Sequence, residues 1–169
     1  MKQQYLAVEL DQTRYLLFDM SAFYDMEQEY HSIPKTLLAL KLNPITELAK
    51  VLRLGLAHEV QLPEDHIELC IHVDNRLLLT QQVVNAISVA LPNSKKESST
   101  SQTTPDQEGW DWAWIYYIGT VLLGMSEAVF WRCTPKKLFA LWDAHKKYHG
   151  LEDSAEQEKT STSYIDQFI

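Results

Sequence analysis

His145 and His149 are the first candidates for chemistry in this 169-residue chain. Four residues apart on a helix, they would place two imidazoles on one face, the spacing of a paired zinc ligand. Two features of HKKYH oppose that reading. The first His is not followed by the Glu that metalloproteases use as a base, and Lys146 and Lys147 between the ligands repel a cation. The alternative is that both histidines serve the negative end of a helix dipole. His66, Cys70 and His72 lie close together, but only His66 and Cys70 share a helical face. Asp25, Glu27 and Glu29 form an acidic run of the kind that usually faces solvent. No Ser-His-Asp pattern, nucleophile elbow or glycine-rich phosphate loop is present, and the chain has only 5 glycines. Neither catalysis, a cofactor nor a metal is expected.

A second group of residues suits binding. Trp110, Trp112, Trp114, Tyr116 and Tyr117 fall within eight positions. On a helix Trp110, Trp114 and Tyr117 share one face, while Trp112 and Tyr116 share another. They could be plain core, yet a segment of about 40 residues can hardly cover both faces. Half-covered aromatics beside Arg132, Lys136 and Lys137 have the composition of a protein-docking anchor. Base stacking on RNA uses similar residues. Against it stands a formal charge of −8, from 23 acidic and 15 basic residues. Nucleic-acid binding requires a basic footprint that displaces counterions from phosphate.

The elements that must position these groups follow from periodicity and punctuation. The fold class expected is mainly α: a helical N-terminal domain over 1–92 with a small N-terminal β-hairpin, a polar flexible linker over 93–109, a small aromatic-rich helical module over 110–150 and a polar tail over 151–169. Leu6, Val8 and Leu10 alternate, Asp11-Gln12-Thr13 turns, and Arg14–Asp19 runs back as the second strand. Ser21 caps a helix over Ala22–His31 that carries Phe23, Met26 and Tyr30. Asn43-Pro44 starts a helix whose apolar face is Ile45, Leu48, Ala49, Leu52 and Leu56. A short helix over Pro63–His72 precedes a longer one from Asp74 or Asn75 to about Leu91. Its Leu77, Leu78, Val83, Val84, Ile87 and Leu91 wrap most of the circumference, as in a largely buried helix.

Residues 93–109 hold no bulky apolar side chain and cannot offset their ordering entropy, so the segment beyond is expected to be held out from the body. There an aromatic helix runs to Gly124 and Ser126 caps a short helix with Val129, Phe130 and Trp131. Thr134-Pro135 starts a final helix, with Leu138, Leu141, Trp142 and His145 on one face, Lys146 and Lys147 at its end, and a stop at Gly150. In the tail only Tyr164, Ile165, Phe168 and Ile169 could dock on anything. Cys70 and Cys133 form no disulfide or zinc spacing and read as free thiols. The start is no signal peptide, and the longest apolar run, Ala113–Leu123, is far short of the roughly 20 residues that span a bilayer. A soluble, intracellular protein is expected.

The stretch W-x-W-x6-GTVLLGMSEAVFWRCTPKKLFALWDAH resembles the C-terminal signature of phage tail assembly chaperones, at Leu123, Gly124, Phe130, Trp131, Thr134, Pro135, Leu138 and Leu141. The likeness extends to FDMSAFYDMEQEY and to Gly55-Leu56-Ala57-His58-Glu59, and covers roughly 14–150. It implies a non-catalytic factor of siphophage or prophage morphogenesis, acting in the host bacterial cytoplasm and absent from the mature virion. Its partners would be the tail tape-measure protein and the major tail-tube protein, with self-association into multimers on the tape measure, and neither nucleic acid nor membrane. Body, linker and module match the longer, frameshifted form of the family, with Lys95-Lys96 as the place for a slip site. Partner-binding residues would then be Trp110, Trp114, Tyr117, Phe130, Trp131, Arg132, Thr134, Pro135, Lys136, Lys137, Leu138, Leu141 and Trp142. The alternative is a structural tail or connector protein retained in the virion.

Overall fold

The structure, a computed structural model, describes residues 5–42, 45–59, 62–92 and 109–151. It is mainly helical, with one N-terminal antiparallel hairpin. Strands β1 (Leu6–Glu9) and β2 (Thr13–Leu16) pair in the register Leu6↔Leu16 and Val8↔Arg14. Arg14 fixes the turn, its Nε and Nη2 donating to Asp11 at 2.8 and 2.7 Å. A hairpin alone is marginal in water, so its apolar face, Val8 and Leu16, is buried against helices.

Helix α3 (Thr46–Leu56) is the centre of the N-terminal body. It touches β2, α1 (Met20–Tyr30), α2 (Ile33–Leu42), α4 (Glu64–Leu69) and α5 (Arg76–Ala90). Leu48, Ala49, Val51, Leu52, Leu54 and Leu56 are all buried in it. Gly55 lets the β2 end come close: a Cβ there would lie 2.9 Å from Phe18 Cζ, and the Leu17 N–H donates to Gly55 O at 2.9 Å.

Several boundaries differ from the sequence reading. Asp19, not Ser21, caps α1, accepting the Ala22 N–H at 3.0 Å, and Leu17 and Phe18 lie beyond the second strand as buried coil. Helix α2 was not foreseen: Ile33, Leu37 and Leu40 pack on the core at helical spacing, but Leu38 and Leu42, which are exposed, blur that stripe in the sequence. It starts after His31, whose positive φ of 66° ends α1. Helix α5 buries Leu79, Val83, Ala86, Ile87 and Ala90, whereas Leu77 and Leu78, expected inside, are exposed. The Asn43-Pro44 start, Lys95-Lys96 and residues 164–169 lie outside the described residues, as does the expected linker except Gly109.

Beyond Gly109 come α6 (Trp112–Tyr117), a π-helical turn (Ile118–Leu122), α7 (Glu127–Trp131) and α8 (Pro135–Tyr148). Three caps hold them. Asp111 accepts from Trp114 N–H, Ser126 from Val129 N–H and Thr134 from Lys137 N–H. Gly124 and Gly150 both take φ near +64°, the left-handed geometry that ends helices at glycine. Gly119 is buried because a Cβ there would overlap the Phe130 ring.

This segment is not held out from the body but lies against α1. Met20 of α1 shares a second core with Ile115, Phe130, Cys133 and Leu138, and its N–H donates to Cys133 O at 2.8 Å. Phe23 stacks on Trp110 with ring centroids 5.4 Å apart. The buried Glu27 carboxylate accepts from Trp110 N–H at 3.1 and 3.2 Å and from Trp112 Nε1 at 2.7 Å. Removing such a partner leaves buried donors unsatisfied, at a cost on the order of 1–3 kcal/mol. Glu27→Ala is therefore expected to lower global stability by about that amount and to raise amide exchange in 110–131 above that in α3. Unchanged stability with unchanged exchange would show that the joint does not depend on this carboxylate.

Candidate functional site

An open cleft lined by aromatic rings lies between α1 and the C-terminal helices. Its volume is about 500 Å³, and Ser21, Tyr24, Trp112, Ala113, Tyr116 and Trp131 line it. Each wall is fixed from behind. Trp112 and Tyr116 are one helical turn apart on α6 and so face the same way. Tyr24 comes from the outer side of α1, next to the buried Phe23. Trp131 ends α7, with its Nε1 donating to Glu127 at 3.3 Å.

The rings meet mainly at corners. Tyr24 stands edge-on to Trp112 (5.2 Å, 85°) and to Trp131 (5.6 Å, 69°). Trp112 and Trp131 lie nearly parallel at 6.5 Å, and Tyr116 is 6.1 Å from Trp131. Such geometries add to area burial and stiffen the walls.

A second strip runs along the opposite face of α6 onto α8. Trp114 stacks on Tyr117 at 5.7 Å and meets Trp142 edge-on at 6.2 Å. Trp142 stacks on His145, and His145 and His149 lie 4.2 Å apart. Among the described residues no three His, Cys, Asp or Glu side chains gather as a metal site. His66 instead faces Asp11 at 3.5 Å, while Cys70 Sγ donates to His66 O at 3.4 Å.

The expected partner-binding residues separate into four groups. Trp114, Tyr117 and Leu141 are exposed, and Trp131, Trp142, Lys136 and Lys137 are half-buried, so all of these can be reached. Phe130 and Leu138 are fully buried, and Thr134 and Pro135 form the buried start of α8; they shape the surface without presenting themselves. Trp110 packs half-buried on Phe23 and Phe139. Arg132 is drawn to Asp19 Oδ2 at 3.4 Å and donates to His58 O at 3.1 Å, so it works in the joint with the body. Sequence reasoning placed Trp112 and Tyr116 on one half-covered helical face but left them off the partner-binding residues, and it passed over Tyr24, which nothing local links to α6.

The joint's charges are perturbed by burial. Burial pushes the Asp19 carboxyl above its usual range, against the Ala22 N–H and Arg132, which lower it. Burial also lowers the His58 imidazole, whose Nδ1 sits 3.1 Å from Gly55 O.

Among the described residues no helix is long and apolar enough to cross a membrane. Compared with family models, curated proteins and solved structures, the chain matches none of them.

Two expectations follow. Leu138→Ala should cost about 2–5 kcal/mol as a cavity in the shared core, and Trp131→Ala much less, measured by denaturant unfolding. Equal costs would place Trp131 in the core as well. For Asp19, a raised folded pKa means that the native state binds more protons than the unfolded one between about 3.9 and the raised value. Its contribution is complete below the lower limit and is lost as pH rises through the upper. The melting temperature of the parent chain minus that of Asp19→Asn should therefore rise on acidification. A flat difference would refute the assignment.

Proposed function

We propose that the chain is a non-catalytic tail assembly chaperone of a siphophage or prophage, which holds the tape-measure protein and recruits tail-tube subunits. The observation that carries this reading is the run of uncovered aromatics, from Tyr24 through the cleft to Trp114, Tyr117 and Trp142, on a segment otherwise sealed to the body. A tape-measure chain is a long helix with apolar stripes that would aggregate before tube subunits enclose it. Its chaperone requires apolar grooves on a helical scaffold, which the aromatic cleft and strip supply. A net charge of −8 keeps such a scaffold soluble. The sequence likeness over roughly 14–150 supplies the identity of the partners, and many weak contacts along one tape chain would add up through avidity. On this reading the protein works in the host cytoplasm, forms multimers on the tape measure and leaves before the virion matures.

The two surfaces suggest separate contacts, one at the cleft and one along the Trp114–Trp142 strip. Tagged full-length chain co-expressed with the adjacent tape-measure and tube proteins should retain both. Trp131→Ala and Trp114→Ala, each at an exposed or half-exposed ring, should each weaken one partner more than the other. Retention of neither partner by the parent chain would sink the proposal. Stoichiometric presence in purified particles would instead favour a structural tail or connector protein.

A further inference from the structure

The cleft has an electrostatic property that an apolar groove alone would lack. Both of its indole N–H groups are engaged from outside by carboxylates, Trp112 Nε1 by Glu27 at 2.7 Å and Trp131 Nε1 by Glu127 at 3.3 Å. An aromatic ring is positive at its edge and negative on its face. With the positive edges turned to carboxylates, the cleft keeps the faces. Behind the Trp112 wall, Glu27 is buried, and among the described residues its hydrogen-bond donors are the neutral N–H groups of Trp110 and Trp112, with no Lys or Arg paired to it. Among the described residues no cationic side chain lines the cleft, and Arg132, the residue after Trp131, turns to Asp19 and His58 O. Four aromatic rings thus line an open space of about 500 Å³ next to a buried carboxylate that, among the described residues, has no cationic partner.

We infer that the cleft is a cation site that receives the ammonium end of a lysine side chain presented by a partner polypeptide. Cation–π attraction acts within roughly 6 Å of a ring centroid, and the Tyr24, Trp112 and Trp131 centroids are mutually 5.2–6.5 Å apart. One ammonium can therefore lie over all three. Trp112 and Trp131 form a nearly parallel pair, and Tyr24, edge-on to both, turns it into a three-walled corner that suits a compact ammonium; a planar guanidinium would prefer the parallel pair without the third ring. The aliphatic stem of lysine would lie along Ala113 and Tyr116. The inference uses the reading of this face as a docking surface but not the identity of the partner, so it is tested on the purified chain alone.

The test follows the Trp112 and Trp131 indole N–H signals by NMR in full-length chain labelled with ¹⁵N at tryptophan. It titrates N-acetyl-lysine-N-methylamide, its ε-trimethylated form and the neutral N-acetyl-norleucine-N-methylamide. Both cations should shift the two indole signals saturably, with the norleucine probe at least about fivefold weaker, the ratio expected of roughly 1 kcal/mol of cation–π attraction. Glu27→Gln keeps an acceptor for the Trp112 N–H but removes the charge, and should weaken the cations several-fold more than it weakens norleucine. Trp131→Phe should retain cation binding and Trp131→Leu should lose it, each variant's fold being checked by the Trp112 indole position. Equal binding of norleucine would make the cleft an apolar pocket and overturn the inference. So would the absence of saturable shifts, or binding confined to the trimethylated probe.

Discussion

One buried carboxylate orients the helices between Trp112 and Tyr148 against the body. Glu27 sits on the inner side of α1 and accepts from the backbone of Trp110 and the indole of Trp112. Two neighbouring contacts complete the joint: the Met20 N–H on Cys133 O, and Arg132 on Asp19. Because hydrogen bonds are directional and apolar packing is not, these polar contacts select the one docking angle among the many that burying Phe23, Trp110 and Phe130 would allow. The aromatic cleft exists only at that angle, since its walls come from α1 on one side and from α6 and α7 on the other.

Where the governing physics is local, the sequence was legible. Ser126, Thr134-Pro135, Gly124 and Gly150 each cap or stop a helix where their chemistry demands, and the hairpin alternates as its two faces require. The helical class with its single hairpin followed from these. What escaped was set by contacts between distant positions. Asp19 outcompeted Ser21 as the α1 cap while also facing Arg132, and the core-facing stripe of helix α2, Ile33, Leu37 and Leu40, is masked by the exposed Leu38 and Leu42. The acidic run Asp25, Glu27, Glu29 read as a solvated face. Asp25 and Glu29 are exposed, but Glu27 points inward to tryptophans more than 80 positions away, and no period in the sequence announces that.

The same long-range joint changes what the aromatic composition means. Seen as a small appendage, the segment has too many rings to cover. Seen against α1, it divides them: Phe130 goes inside, Trp110, Trp112 and Trp131 are half-covered, and Trp114 and Tyr117 stay outside. Its charges divide in a similar way, with Arg132 tied to the joint and Lys146 at Asp143 and over the Trp142 ring. Surface that looks uniform in the sequence is thus three environments with different tasks.

Met20, one residue of α1, belongs to the C-terminal core, while its neighbours Ala22, Phe23 and Met26 belong to the N-terminal one. A helix that serves two cores makes the loss of either felt by the other, so they should melt as one unit rather than in sequence. The parts before residue 92 and after residue 109 are held in register by complementary surfaces, Met20 and Phe23 on one side and Cys133 and Trp110 on the other, and not only by belonging to one polypeptide.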